Sequence, residues 1–217
     1  MVDVRVLGPL EVERDGEVLG LGGRKQRSVL AVLVLHVREV IGVDRLADAV
    51  WEGDPPASME TTLRSYVSNL RKTLEPDRDG QPRVLRTTPA GYLLEVADED
   101  IDARRFERLV ATGRDRRASG DVHAAAEAWS LALGLWRGDA CQDFAYDGFA
   151  QTEIGRLNGV RLACTEDLFE ARLELGHHDA VVGDLEAFCA SHPGREEGEI
   201  PVVEETEEET APEKESL

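Results

Sequence analysis

The sequence predicts a mainly α protein with small β-sheets: a winged helix-turn-helix segment, then an all-α segment of tetratricopeptide-like helical hairpins. Three observations predict it. Period-2 strand signals open the 217-residue chain and return near residue 90, each time beside a turn sequence. Between them lie three segments whose apolar residues recur every three or four positions. After residue 97 only the helical period remains, punctuated by turn glycines and alanine-rich stretches.

Val2, Val4 and Val6 alternate with polar residues, and Asp15-Gly16 is a dipeptide suited to positive φ, so residues 2–20 read as short antiparallel strands. "RKQRSVLAVLVLHV", from Arg24, reads as a largely buried helix with a basic first turn. Cations there oppose the helix dipole, which leaves solvation and phosphate contact both open for them. "GVDRLADAVW" predicts a helix capped by Asp44, with Leu46, Ala47, Val50 and Trp51 on one face. Glycine and two prolines in "EGDPPAS" end it. Ser58 is placed to cap the next helix, Glu60 lies in its first turn, and Leu63, Val67, Leu70 and Leu74 form its inner face. "RVLRTTPAGYLLEV" reads as a hairpin turning at Pro89-Ala90-Gly91.

Charge is distributed unevenly. The formal net charge is -19, yet residues 1–97 hold 13 Lys and Arg against 15 Asp and Glu, while residues 195–217 hold 2 against 10. A bulk acidic balance argues against nucleic acid because phosphate contacts need cations. That argument does not reach the first segment. "TTLRSYVSNLRKTL", residues 61–74, carries three cations and no carboxylate, and at 100° per residue Arg64, Ser68 and Arg71 form one outer stripe with Thr61, Ser65 and Lys72 alongside. Guanidinium forks and hydroxyls suit phosphates and base edges, whereas a pure scaffold has no reason to exclude acid from one helix face.

With these blocks in view, "LGPLEV", "GGRKQRSVLAVL", "DRLADAVW", the residue 61–74 helix and "LRTTPAGYLLEV" resemble the OmpR-like winged-helix domain of the actinobacterial antibiotic regulatory proteins. "DARRFERLVATGRDRRASGD", "ALGLWRGDA" and the stretch from "FAQTEIGRL" to "SHP" are similar to that family's bacterial transcriptional activation domain. The resemblance covers residues 2–193 and implies three segments: a DNA-binding domain over 1–97, an incomplete helical activation domain over 98–194, and an acidic tail over 195–217. It implies an activator that recognises direct repeats in double-stranded DNA and recruits RNA polymerase holoenzyme, often for secondary-metabolite genes, with a homodimer on the repeated sites. It assigns DNA contact to Ser65, Ser68, Arg71 and Lys72 on the third helix and to Arg86 and Thr88 on the wing, with Arg64 on the same stripe. Asn69 stands where the family helix has arginine, and Lys72 lacks arginine's two-pronged fork. By the same analogy Glu52 and Asp54 are polymerase contacts, although "EGDPPAS" also reads as a plain turn.

The bottom-up reading of the second half is a helical repeat, with Gly120 aligned over Gly176, Ala124 over Ala180 and Trp129 over Leu185. Protein contact is the function such a module serves. The ten glutamates and two prolines of the tail predict disorder. No cofactor, metal or enzymatic activity is expected. "GLGGRKQRS" lacks phosphate-loop spacing, and His177, His178, Cys189 and His192 make no ligand set. Cys141, Cys164 and Cys189 read as reduced thiols in helical packing, and Trp129 with Trp136 as a core stripe. With no apolar run of bilayer length, the expected location is cytoplasmic and off the membrane. The competing reading is a helical-repeat interaction protein, a titrating partner with impaired DNA binding.

Overall fold

The computed structural model describes residues 2–77 and 79–177. Ala180, Leu185, Cys189, His178, His192 and the glutamate-rich tail lie outside the described residues, and with them most of the second copy of the proposed repeat; its Gly176 is described and has a positive φ of 81°, as Gly120 has at 82°. Strands β1 (Val2–Arg5), β2 (Glu11–Arg14) and β3 (Glu17–Val18) form an antiparallel sheet in that order. Its register sets Val4 opposite Val12, and both are buried. Asp15 (φ 52°) and Gly16 (φ 89°) join Arg14 to its partner Glu17 in a two-residue turn with both φ positive, as that dipeptide favours.

Three helices follow: α1 (Arg24–Leu35), α2 (Val43–Trp51) and α3 (Met59–Leu74). Leu63, Val67, Leu70 and Leu74 of α3 are at most 2% exposed, and each contributes about 2 kcal/mol by leaving water. Two caps differ from expectation. α2 begins one residue before Asp44, with Gly42 at the cap position, so Asp44 serves the helix through its charge in the first turn. Ser58 does hold the cap position of α3, but its side chain makes no cap hydrogen bond; its carbonyl instead accepts from the Thr62 N–H and hydroxyl, each at 3.0 Å.

The wing is the hairpin of β4 (Leu85–Thr88) and β5 (Gly91–Leu94), turning through Pro89 and Ala90. The segment after α1 runs beside it, with the Ile41 N–H donating to Tyr92 O (2.8 Å) and the Tyr92 N–H to Ile41 O (2.9 Å). Gly91, at φ 148°, is required there because a Cβ would drive into the Ile41 carbonyl.

A short 3₁₀ turn, Asp98–Asp100, leads to α4 (Asp102–Ala118), α5 (Val122–Leu133) and, after a second turn at Gln142–Phe144, α6 (Gly148–Glu174). Gly113 of α4 lets the Trp129 indole of α5 lie against the backbone, where its N–H reaches Val110 O at 3.3 Å. Trp136 is not on one helical stripe with Trp129, because α5 ends at Leu133. It packs edge-on against Phe106 (centroids 5.3 Å apart) and under the Arg161 guanidinium. Cys141 likewise departs from a helical setting: it occupies a left-handed turn residue (φ 49°) and is buried, as is Cys164 within α6.

The two halves share one hydrophobic core, running from Val4 through the three-helix region to Ala171. Residues Met1–Gly176 form a single contact unit. Much of the joint is polar and specific. The buried Asp102 carboxylate accepts the N–H groups of Val6 (2.8 Å), Leu7 (3.0 Å) and Ala103 (2.7 Å), with Arg137 3.9 Å away. Burial pushes its pKa up despite those donors. Backbone bonds from Arg137 to Leu7 O and from Cys141 to Val6 O, both 2.7 Å, stitch residues 6–8 to the second half.

Candidate nucleic-acid interface

α3 and the wing are set side by side by one arginine. The core residues of α3 direct its opposite face outward, and Arg71 lies about 70° from the centre of the apolar face, toward the hairpin. Its Nε donates to Leu85 O (2.7 Å) and its Nη2 to Thr87 Oγ1 (2.6 Å), so this half-buried side chain clasps the wing. The outer stripe therefore divides. Arg64 and Ser68 are exposed, Ser65 and Lys72 are exposed beside them, and Arg71 is turned inward.

The remaining predicted residues are distributed in the same way. Asn69 is exposed, yet its Nδ2 donates to Gln26 Oε1 at 3.2 Å and links α3 to α1. Ser65 Oγ donates back to Thr61 O at 3.0 Å, which leaves its lone pairs outward as acceptors. On the wing, Arg86 is exposed and pairs with Glu95 across the hairpin (3.2 Å), and the Thr88 hydroxyl donates to Gly91 O (3.3 Å). Glu52 and Asp54 are exposed on the connection between α2 and α3; Glu52 has a left-handed φ of 55° that closes α2.

Three features were missed in the sequence reading. Glu60, one turn before Arg64 and the sole acid of α3, bonds Arg64 Nη2 at 2.9 Å. Its spacing of four residues is the signal that announces such a pair. Arg83, exposed, is brought to the C-terminal end of α3 by its N–H, which donates to the Glu75 carboxylate (2.9 Å). The basic first turn of α1 is neither solvated alone nor directed at a ligand. Arg24 grips Asp147 with two bonds of 2.9 Å, Arg27 pairs with Asp143, and Lys25 reaches Val50 O (3.3 Å) and lies over the Trp51 ring. No local pattern announces Asp147 and Asp143, because they lie more than 100 residues from the arginines they pair with.

Among the described residues no group of three or more His, Cys, Asp or Glu is placed to hold a metal ion, and no helix is long and apolar enough to cross a membrane.

An outward cationic helix backed by a clasped hairpin, fused to a helical hairpin module, defines a two-part transcriptional regulator of the winged-helix class. Residues 18–94 match the family model described as transcriptional regulatory protein, C terminal, and residues 101–199 match that of the bacterial transcriptional activator domain. The chain is 35% identical over 200 residues to the regulatory protein DnrI of Streptomyces peucetius, spanning 90% of this chain and 74% of DnrI. It is 37% identical to the transcriptional regulatory protein MoaR1 of Mycobacterium bovis, spanning 90% of this chain and 63% of MoaR1. The solved structure of Mycobacterium tuberculosis EmbR in complex with a low-affinity phosphopeptide superposes with a TM-score of 0.85 at 36% identity, covering 90% of this chain and 52% of EmbR. The chain belongs to the actinobacterial antibiotic regulatory protein family, and it is a transcription regulator of that type.

Proposed function

We propose that this regulator is a sequence-specific activator that seats α3 in the major groove of double-stranded DNA, lays the wing on the adjoining backbone, and recruits RNA polymerase holoenzyme. The carrying observation is the outer side of α3, where Arg64, Ser65, Ser68 and Lys72 are exposed. Hydroxyls and Arg64 suit base edges; Lys72 and Arg83, as point charge and fork at the C-terminal end of α3, suit phosphates. Arg86 and Thr88 carry the wing's contacts in this reading, with Arg86 released from the exposed Glu95 pair. Arg71 and Asn69 take supporting parts, holding the wing and α1 against α3.

Glu52 and Asp54, next to the DNA-facing helix but on its upstream connection, are the proposed polymerase contacts. Family membership points to secondary-metabolite promoters with direct repeats, occupied by two copies of the chain. Selection of bound duplexes from a randomised DNA pool tests the central claim. The expected product is an enriched direct repeat whose affinity falls steeply with salt. Enrichment of no sequence overturns it. Charge-neutral variants of Glu52 and Asp54 are expected to bind the same repeat while losing transcription in a reconstituted assay.

A further inference from the structure

Glu60 is out of place on a surface that meets DNA. It is the sole acid of α3, it is 61% exposed, and it stands in the first turn, the end of a recognition helix that meets base edges. A favourable term with the helix dipole accounts for an acid somewhere in that turn. It does not account for the partner. Glu60 Oε2 accepts from Arg64 Nη2 at 2.9 Å, and the Arg64 side chain, itself 71% exposed, makes no other hydrogen bond among the described residues. The other half-buried or wing-borne arginines here, Arg71 and Arg86, are turned toward the wing's carbonyl, hydroxyl and carboxylate oxygens.

In open water an exposed pair of this kind is held only weakly and is screened by salt. Seating the helix in a groove expels that water, and the same 2.9 Å contact then acts at a lower effective dielectric. Arginine has five N–H donors; one committed to Glu60 leaves the fork enough donors for the two acceptors of a guanine edge, and restricts the rotamers from which it reaches them. The carboxylate has a second effect of opposite sign on affinity. It repels phosphates at every sequence alike, so it lowers non-specific binding while the oriented fork recovers affinity where a matching base is present.

We infer that Glu60 is a specificity-determining positioning residue: it aims the Arg64 guanidinium at one base pair and penalises DNA that lacks it. The inference rests on the DNA-binding reading above and adds to it a residue that composition alone would count against binding.

The test uses the full chain as wild type, Glu60→Ala, Glu60→Gln and Arg64→Ala, each passed through selection from a randomised duplex pool. Each is also titrated with the wild-type selected duplex and with unselected duplex; thermal melts confirm that each variant is folded. Glu60→Ala is expected to bind unselected duplex more tightly than wild type and to lose about tenfold in the ratio of selected to unselected affinity. Its relaxed preference falls at the same base pairs that Arg64→Ala relaxes. Glu60→Gln, which keeps an acceptor oxygen for Arg64 but no charge, retains more of the base preference than Glu60→Ala while binding unselected duplex equally tightly. Glu60→Ala affinities raised uniformly, with base preferences unchanged at the Arg64 positions, would overturn the inference and leave the activator reading standing. Failure of the wild-type arm itself to enrich any sequence overturns both, and is told apart by that arm.

Discussion

Arg71 has the chemistry of a base reader and the geometry of a clasp. Bonded to Leu85 O and Thr87 Oγ1, it binds two elements together, and its removal frees the wing to move against α3. Arg71→Ala is therefore expected to weaken every duplex by a similar factor, about tenfold, without relaxing preference at any one base pair; pool selection with the variant reads this directly. Loss of preference at a single position would return Arg71 to the groove. Burial sets the chemistry of two other side chains. The Cys141 and Cys164 thiols are pushed up to about 12 by desolvation, so neither is a thiolate at neutral pH. Peptide-resolved alkylation at pH 8 should label both far more slowly in the native protein than in denaturant.

Helix α3 earns its position from four buried aliphatic side chains, and Leu70→Ala is expected to cost about 2–5 kcal/mol in chemical denaturation. Lys72, exposed in its last turn, behaves differently. Lys72→Ala should leave stability unchanged and reduce the slope of log affinity against log salt by about one unit, the signature of one lost phosphate contact. Helices α4 and α6 are tied by Arg156, which binds Glu153 on its own helix and Glu107 on α4. Its hydrogen bonds hold the Glu153 carboxyl below its ordinary value of 4.5, with burial opposing them. A carboxyl whose folded pKa is depressed stabilises the fold fully above its unfolded pKa and loses that contribution as pH falls through the folded value. Thermal melts taken downward from pH 6 should therefore fall below about pH 4.5, and Glu153→Gln should flatten that part of the profile.

The two halves of the chain behave as one body because the joint is covalently short, apolar inside and ion-paired at its edge. Arg24 with Asp147 and Arg27 with Asp143 bring the first turn of α1 onto the entry to α6. Asp147 is itself buried at 7% exposure, while the neighbouring Tyr146 is 98% exposed, so the joint meets solvent just beside this pair. Double-mutant cycles at Arg24 and Asp147 should return a coupling of about 1 kcal/mol, and hydrogen exchange of the Asp147→Ala variant should quicken in α1 as well as near α6. Exchange that quickens near α6 alone would mean that the joint does not transmit stability. A shared core sets the helical module beside the three-helix region, which the proposed activator needs if that module is to meet a partner at a set place.

The order of helices and hairpins, the inner face of α3 and the Asp15-Gly16 turn were legible in the chain, because periodicity and turn stereochemistry are local properties spanning a few residues. The exposed part of the candidate interface, Arg64, Ser65, Ser68 and Lys72, was legible for the same reason: a buried stripe on a helix defines its opposite side. Composition could not say which cations stay outward. The guanidinium groups of Arg24, Arg27 and Arg71 look alike in a sequence, and each found an acceptor brought to it by folding, at separations of 123, 116 and 14 or 16 residues. A long flexible cation takes the best oxygen within reach, and only the tertiary structure decides which oxygen that is.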